Sequence, residues 1–263
     1  MQAVTGIFSS QQDAKRAVLA LQSGGVSADK ITLLTPGHAE KELESVPADS
    51  TEQPGMGKAI GALLGAAGGL SGGGLLIAAL VPGVGPVTAI GLLGGAILAA
   101  AGAAAGAAVG ASFENAVTEG LPEDEIFVYE DALRQGRSVV IALAADEADA
   151  APLRELLKTE GAEAVDAARH QWWIGLRSAE REHYSSSGRN FSDDEKFYRL
   201  GFEAALHART RCMEFDQVSA EMTSSLEDLQ RQYPGEEVAE AYTRGYQRGR
   251  DYYQRLCNES KAA

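Results

Sequence analysis

The chain has only two cysteines in 263 residues, Cys212 and Cys257, and no CxxC spacing. That excludes a disulfide framework and a thiolate zinc site, and it fits a reducing compartment. Basic residues are also scarce: 23 Lys and Arg stand against 37 Asp and Glu, for a net charge of −14. Such a balance argues against general affinity for nucleic acid or anionic lipid. The opening run Met1-Gln2-Ala3-Val4-Thr5-Gly6-Ile7-Phe8 has neither a basic start nor a long apolar core, so no signal peptide is expected. The four histidines, His38, His170, His183 and His207, share no metal-ligand spacing. Glu203 and His207 fall on one helix face, but a metal needs three or four ligands, and a polar i, i+4 pair on a solvated face explains them. Gly57-Lys58 resembles the end of a phosphate-binding loop, yet Ala59 replaces the required Ser or Thr and Glu52 sits where the first Gly belongs. No nucleophile elbow and no paired catalytic carboxylates can be found. The chain is therefore expected not to be an enzyme, with no catalytic residue, no cofactor and no metal.

A further absence is local: no residue from Ala59 to Phe113 is charged. This run divides at Pro82-Gly83-Val84-Gly85-Pro86, where two prolines and two glycines make a continuous helix improbable. Each flanking arm exceeds the ~20 residues that cross a hydrocarbon core. Gly57, Gly61, Gly65, Gly69 and Gly73 form an i, i+4 series on the first arm. Gly102, Gly106 and Gly110 repeat it on the second, with Gly91 and Gly95 as another pair. Rows of this kind let helix backbones approach closely, which offsets the roughly 1 kcal/mol each glycine costs inside a helix. The spacing predicts a transmembrane-type helical hairpin over 59–112, packed and oligomerised through these glycines. A hairpin buried inside a soluble oligomer is the alternative. Both ends must emerge on one side, and the lysines and arginines preceding the first arm weakly favour the cytoplasmic side.

What remains reads as one small α/β domain, split by the hairpin. Ala3–Phe8 reads as a strand, followed by a helix capped by Ser9 or Ser10 with Ala14, Ala17, Val18 and Leu21 inward. Gly24-Gly25 closes that helix, and Lys30–Thr35 is a second strand. After the hairpin, a helix from Pro122 to about Gln135 turns Ile126, Tyr129 and Leu133 inward. Ser138–Ala144 is the most strand-like run of the chain. Asp146 or Asp149 then opens a helix with Leu153, Leu156 and Leu157 on its core face, and Ala162–Ala167 is the expected last strand. This order suits a split βαβ, ferredoxin-like domain.

Past this domain, Trp172-Trp173 reads as buried packing, with a membrane-interface belt as the sharper alternative. Ser185-Ser186-Ser187-Gly188 reads as a linker. Three helical stretches follow: one from Asp193, one carrying Met222, Leu226 and Leu229, and one from about Glu236 to Cys257. A weak repeat relates the first to the last. Tyr198-Arg199-Leu200-Gly201-Phe202-Glu203-Ala204-Ala205 matches Tyr242-Thr243-Arg244-Gly245-Tyr246-Gln247-Arg248-Gly249. Gly201 with Ala205, and Gly245 with Gly249, place small residues four apart for close helix packing. Core packing explains the pattern, with an interaction surface for another protein as the alternative.

The expected organisation is 1–37 and 113–176 as the two halves of the ferredoxin-like domain, 59–112 as the hairpin and 193–259 as an α-helical domain. Residues 38–58 and 177–192 are the linkers. Gly6-Ile7-Phe8, Gly120-Leu121-Pro122-Glu123-Asp124-Glu125, Tyr129–Gly136, Ser138-Val139-Val140-Ile141 and Leu156-Leu157 with Gly161-Ala162 resemble bacterial heat-induced or general stress proteins. In that family a ferredoxin-like domain is interrupted by a glycine-zipper insert. The resemblance implies a stress association, and it brings no catalytic residues. The leading expectation is a membrane-associated stress-response protein of the bacterial inner membrane, its soluble parts on the cytoplasmic side. Its expected partners are membrane lipid, further copies of itself and a protein held by the C-terminal helices. A pore, a soluble oligomeric scaffold and a small-ligand sensor are the alternatives.

Overall fold

The computed structural model describes residues 1–37, 76–81, 83–91, 93–100, 120, 122–185, 188–208, 210–211, 215–234 and 237–262. The chain divides into two compact units. The first comprises Met1–Pro122 with Val128–Ala168, and the second Glu123–Phe127 with Arg169–Ala263.

The first unit is a mixed α+β structure built on an open five-stranded sheet. Strand β1 (Gln2–Phe8) leads through helix α1 (Gln11–Ser23) to β2 (Ile31–Pro36). Ser10 caps α1 by accepting the Asp13 amide at 3.1 Å, which supplies one of the partners the first turn lacks. Next come β3 (Leu76–Val81), β4 (Gly85–Ile90) and helix α2 (Gly94–Ala100). Helix α3 (Ile126–Arg134), strand β5 (Ser138–Ala144) and helix α4 (Glu147–Thr159) follow. Every pairing is antiparallel, in the order β1-β5-β2-β4-β3. Val4, Phe8, Ile31, Leu33, Val140 and Ala142 pack on one side against Ala14, Ala17 and Leu21 of α1 and Leu157 of α4. On α3, Tyr129 is buried and its hydroxyl meets Thr5 at 3.0 Å. All seven residues of β5 are buried, so its unbroken Ser-Val-Val-Ile-Ala-Leu-Ala run is what a central strand covered on both faces requires.

The expected fold class is corrected at the interrupting segment. Where two helical arms meeting at a turn were expected, Leu76–Val81 and Gly85–Ile90 form a β-hairpin, with Val81 opposite Gly85. It joins the sheet through β4 on β2, Leu33 opposite Ile90. Gly83 at φ +70 and Gly85 at φ +99 supply the left-handed turn that tight hairpins demand. Among the described residues no helix is long and apolar enough to cross a membrane. That finding overturns the transmembrane hairpin, the inner-membrane placement and the lipid partnership together, and the oligomer resting on the hairpin loses its basis. Ala162–Ala167 is not a strand either. Only Glu163 bridges to Ile7, the two exchanging backbone hydrogen bonds of 3.0 and 2.8 Å, and helix α5 (Val165–Ser185) begins two residues later.

The second unit is helical. It holds most of α5, then α6 (Phe191–Ala204), α7 (Phe215–Gln232) and α8 (Val238–Ala262). Asn190 caps α6 through the Ser192 amide at 3.1 Å. Helices α6 and α8 touch backbone to backbone. A Cβ built on Gly201 would fall 2.0 Å from the Tyr242 carbonyl oxygen, and one on Gly245 would fall 1.9 Å from that of Tyr198. Gly249 lies against the Phe202 carbonyl and the Ala205 side chain. Residue numbers rise together along this contact, so the helices run parallel. The antiparallel return is α7: Val218 and Met222 pack with Ala205 and Tyr246, while Leu226 and Leu229 pack with Phe197, Val238 and Ala241. Trp172 and Trp173 are buried here, their rings each 5.9 Å from that of Phe202, which removes the interfacial belt.

Glycine substitutions should therefore split by sign. Gly245→Ala forces a methyl into a carbonyl and should cost about 3 kcal/mol, as overpacking does. Gly175, within α5, has nothing near its Cβ position, so Gly175→Ala should stabilise by roughly 0.5–1 kcal/mol through helix propensity. Urea denaturation of both variants checks this; equal effects would refute the contact.

Candidate functional site

The sequence repeat is a structural repeat. In the register that sets Gly201 on Gly245, the contacts of one helix reproduce those of the other: Gly201 meets Tyr242 O and Tyr246 N, and Gly245 meets Tyr198 O and Phe202 N. A local two-fold axis thus runs between α6 and α8. A depression lies on each side of it, and the two are lined by equivalent positions. Leu200, Glu203, Ala204 and His207 with Tyr242 line one; Arg244, Gln247, Arg248 and Asp251 with Tyr198 line the other.

Equivalent positions carry unlike chemistry. On the second side, Arg248 projects inward and forks onto Glu180, Nε to Oε2 at 2.9 Å and Nη2 to Oε1 at 3.0 Å. Glu180 is only 2% exposed and also accepts the Tyr198 hydroxyl at 2.7 Å. Burial, then this bond, pushes the Tyr198 phenol far above its ordinary pKa. Side chains fill this depression and leave about 190 Å³.

On the first side, Ala204 occupies the position equivalent to Arg248, and a cavity of about 380 Å³ opens between α6, α7 and α8. One wall is polar. Glu203, 7% exposed, accepts Arg199 Nε at 2.5 Å and faces Arg169 Nη1 at 3.7 Å. Arg169 Nη2 donates to the Asp124 carboxylate at 3.0 Å and to its carbonyl at 3.2 Å, and its guanidinium lies 5.6 Å from the Phe127 ring centre. Arg169 Nε is buried and finds no acceptor among the described residues. Burial pushes the His207 imidazole below its ordinary value, against the pull of Asp124 and Glu203, with Arg169 reinforcing the shift. The opposite wall is apolar, from Val218, Met222 and Leu229.

The residues singled out in the sequence fall in three places. Gly57, Gly61, Gly65, Gly69, Gly73, Gly102, Gly106 and Gly110 lie outside the described residues. Gly91 follows β4 at φ +120, and a Cβ there would meet the Ile31 carbonyl at 2.2 Å; Gly95 lies in α2. Gly201, Ala205, Gly245 and Gly249 come together at the α6–α8 contact. Their small faces are spent on the α6–α8 contact inside this chain, so the alternative reading, a surface that receives another protein, does not have them to use. Sequence reasoning passed over Arg169 and Glu180, which come from α5 and carry no spacing signal toward α6 or α8. It did pair Glu203 with His207, but placed both on a solvated face. Among the described residues no group of three or more His, Cys, Asp or Glu is arranged to hold a metal.

No protein-family model, curated protein or solved structure matches the chain. The expected membership of the heat-induced and general stress proteins is corrected accordingly, and with it the stress association.

Two measurements test the site's electrostatics. Arg248→Met strands a buried carboxylate and should cost about 3–5 kcal/mol; adding Glu180→Gln should recover part of that, and a purely additive double variant would show the pair to be uncoupled. For His207 the unfolded chain titrates near 6.5 and binds more protons than the folded one just below that pH. Folding stability should therefore fall as pH drops below about 6.5, levelling once the folded imidazole protonates. Urea midpoints at pH 7.5 and 5.0 should show a steeper loss in the native chain than in His207→Gln.

Proposed function

We propose that the chain is a non-catalytic module that binds a small molecule in the cavity beside Ala204. The observation that carries this reading is the broken local symmetry. Arg248 fills one side of the α6–α8 contact, and an alanine methyl leaves the other open. The resulting volume lies at the lower end of the range for small-molecule sites, ~300–1,000 Å³. The combination of an apolar wall with a few fixed polar groups is also typical of such sites.

Binding is favoured over catalysis because the charged groups of the wall are engaged with one another. Arg169 holds Asp124, Arg199 holds Glu203, and burial keeps His207 neutral. Such a wall can orient a guest, and among the described residues the lining hydroxyl of Thr210 donates to the Ala204 carbonyl at 3.1 Å, so it is not paired as a nucleophile with the neutral His207 imidazole. We further propose a sensor role, which the lining supports. Four helices contribute to it, α5 through Arg169, and α7 packs on α6 and α8 through the same Val218 and Met222 that face the cavity. An occupant would tighten that packing and stabilise the folded unit by mass action, about 2.7 kcal/mol at a hundred times its dissociation constant.

A thermal-shift screen of small charged and uncharged amphiphiles tests the reading. Compounds that raise the melting temperature of the native chain should leave Ala204→Met unmoved, because the longer side chain occupies the cavity. A screen without stabilisers, or shifts that survive Ala204→Met, would defeat it.

A further inference from the structure

Resting on the reading of this cavity as a ligand site, we infer that the site is gated by protons: it holds an uncharged guest while His207 is neutral and releases that guest when His207 takes up a proton from solvent. His207 stands in the turn that follows α6 and forms part of the cavity lining. It is partly buried, and its ring makes no hydrogen bond to any described residue. Solvent in the open cavity hydrates this residue, and a guest takes the place of that solvent.

Charged groups surround the imidazole from each element packed on it. Glu123 and Asp124 from the turn before α3, Arg169 from α5 and Glu203 from α6 act on it through their charges. Helix α7 adds Asp228 to the lining, and α8 adds Tyr242 and Tyr246. Arg211, one turn beyond, has its guanidinium 4.8 Å from the Tyr253 ring centre. Two of the carboxylates are already committed: Asp124 accepts Arg169 Nη2 at 3.0 Å, and Glu203 accepts Arg199 Nε at 2.5 Å. Neither is held ready as the counter-ion of an imidazolium. Burial therefore decides in favour of the neutral form, over the pull of Asp124 and Glu203 and with the help of Arg169. An uncharged guest deepens that burial and supplies no opposing charge, so it penalises the imidazolium alone. The occupied cavity thus binds fewer protons than the open one, and by reciprocity the proton weakens the guest. Affinity is full above the His207 midpoint and falls as pH drops through it.

The probe is 1-hexanol, which carries no charge at any pH used, titrated calorimetrically into the full chain at pH 7.5 and 5.0. Binding should be about tenfold weaker at pH 5.0, near the lower end for coupled sites. In His207→Gln the two affinities should agree within about twofold, whatever their absolute value. Ala204→Met, folded by circular dichroism, should bind no 1-hexanol. An NMR titration of the His207 ring reads the same coupling from the other side: saturating 1-hexanol should move its midpoint to lower pH. Equal affinity at both pH values, or an unmoved midpoint, would overturn the gate while leaving the cavity as a site. An equal loss in His207→Gln would assign the proton to another group and overturn the role of His207. Binding retained in Ala204→Met would place the probe elsewhere and overturn the proposal. Failure of the native chain to bind 1-hexanol at pH 7.5 would overturn the gate and the reading of the cavity together.

Discussion

Helices α6 and α8 approach until each presses a glycine onto the other's carbonyl, Gly201 on Tyr242 and Gly245 on Tyr198. At such a separation a Cα–H group meets a carbonyl oxygen, a contact worth about 0.5–1 kcal/mol, and larger side chains are excluded from the line of contact. The main consequence is register. With Gly201 held on Gly245, Tyr198 must lie on the Glu180 side and Tyr242 on the opposite one, and residues on either flank of the two glycines are brought into symmetric places. The asymmetry of the unit then comes from single side chains set in those places.

That constraint gives the two buried arginines different meanings. Arg248, Glu180 and Tyr198 form a closed network in which the fork of the guanidinium and both carboxylate oxygens are used. Buried pairs of this kind add little net stability over apolar packing, yet removing one partner is expensive. Arg169 and Glu203 are held more loosely, at 3.7 Å, and Arg169 retains a buried N–H to spare. One flank is complete in itself. The other leaves a cavity of about 380 Å³.

In the sheet unit the corresponding constraint is β5, buried along its whole length between β1 and β2. The β3–β4 hairpin extends the sheet beyond β2. Val81, Val87 and Ala89 of this hairpin are buried, and β-branched residues around a glycine turn suit a hairpin better than a helix. An uncharged run of Leu, Ile, Val and Ala is ambiguous by composition: length and the turn chemistry arbitrate, and here Gly83 and Gly85 mark the end of strands six residues long.

The sequence by itself determined the local elements whose signals are carried within a few residues. It narrowed two helix caps to neighbouring candidates, of which Ser10 and Asp146 are the caps, it placed Gly161 as the close of a helix, at φ +93, and it marked Ser138–Ala144 unmistakably as a strand. The Tyr-x-x-Gly-aromatic repeat also announced that two helices use the same small-residue face. What only the tertiary structure decided is everything that depends on which segments meet. Whether Leu76–Ile90 became helix arms or strands depended on the open edge of β2 for hydrogen bonding. Glu163 formed a single bridge instead of a strand because α5 begins at Val165. The cavity was invisible in the chain because its polar wall joins Asp124, Arg169 and Glu203 from distant stretches. Its emptiness rests on Ala204 standing opposite Arg248 across an axis that exists only once the helices pack. Local propensity acts over one or two turns, whereas a cavity is the space left between side chains that the sequence never places side by side.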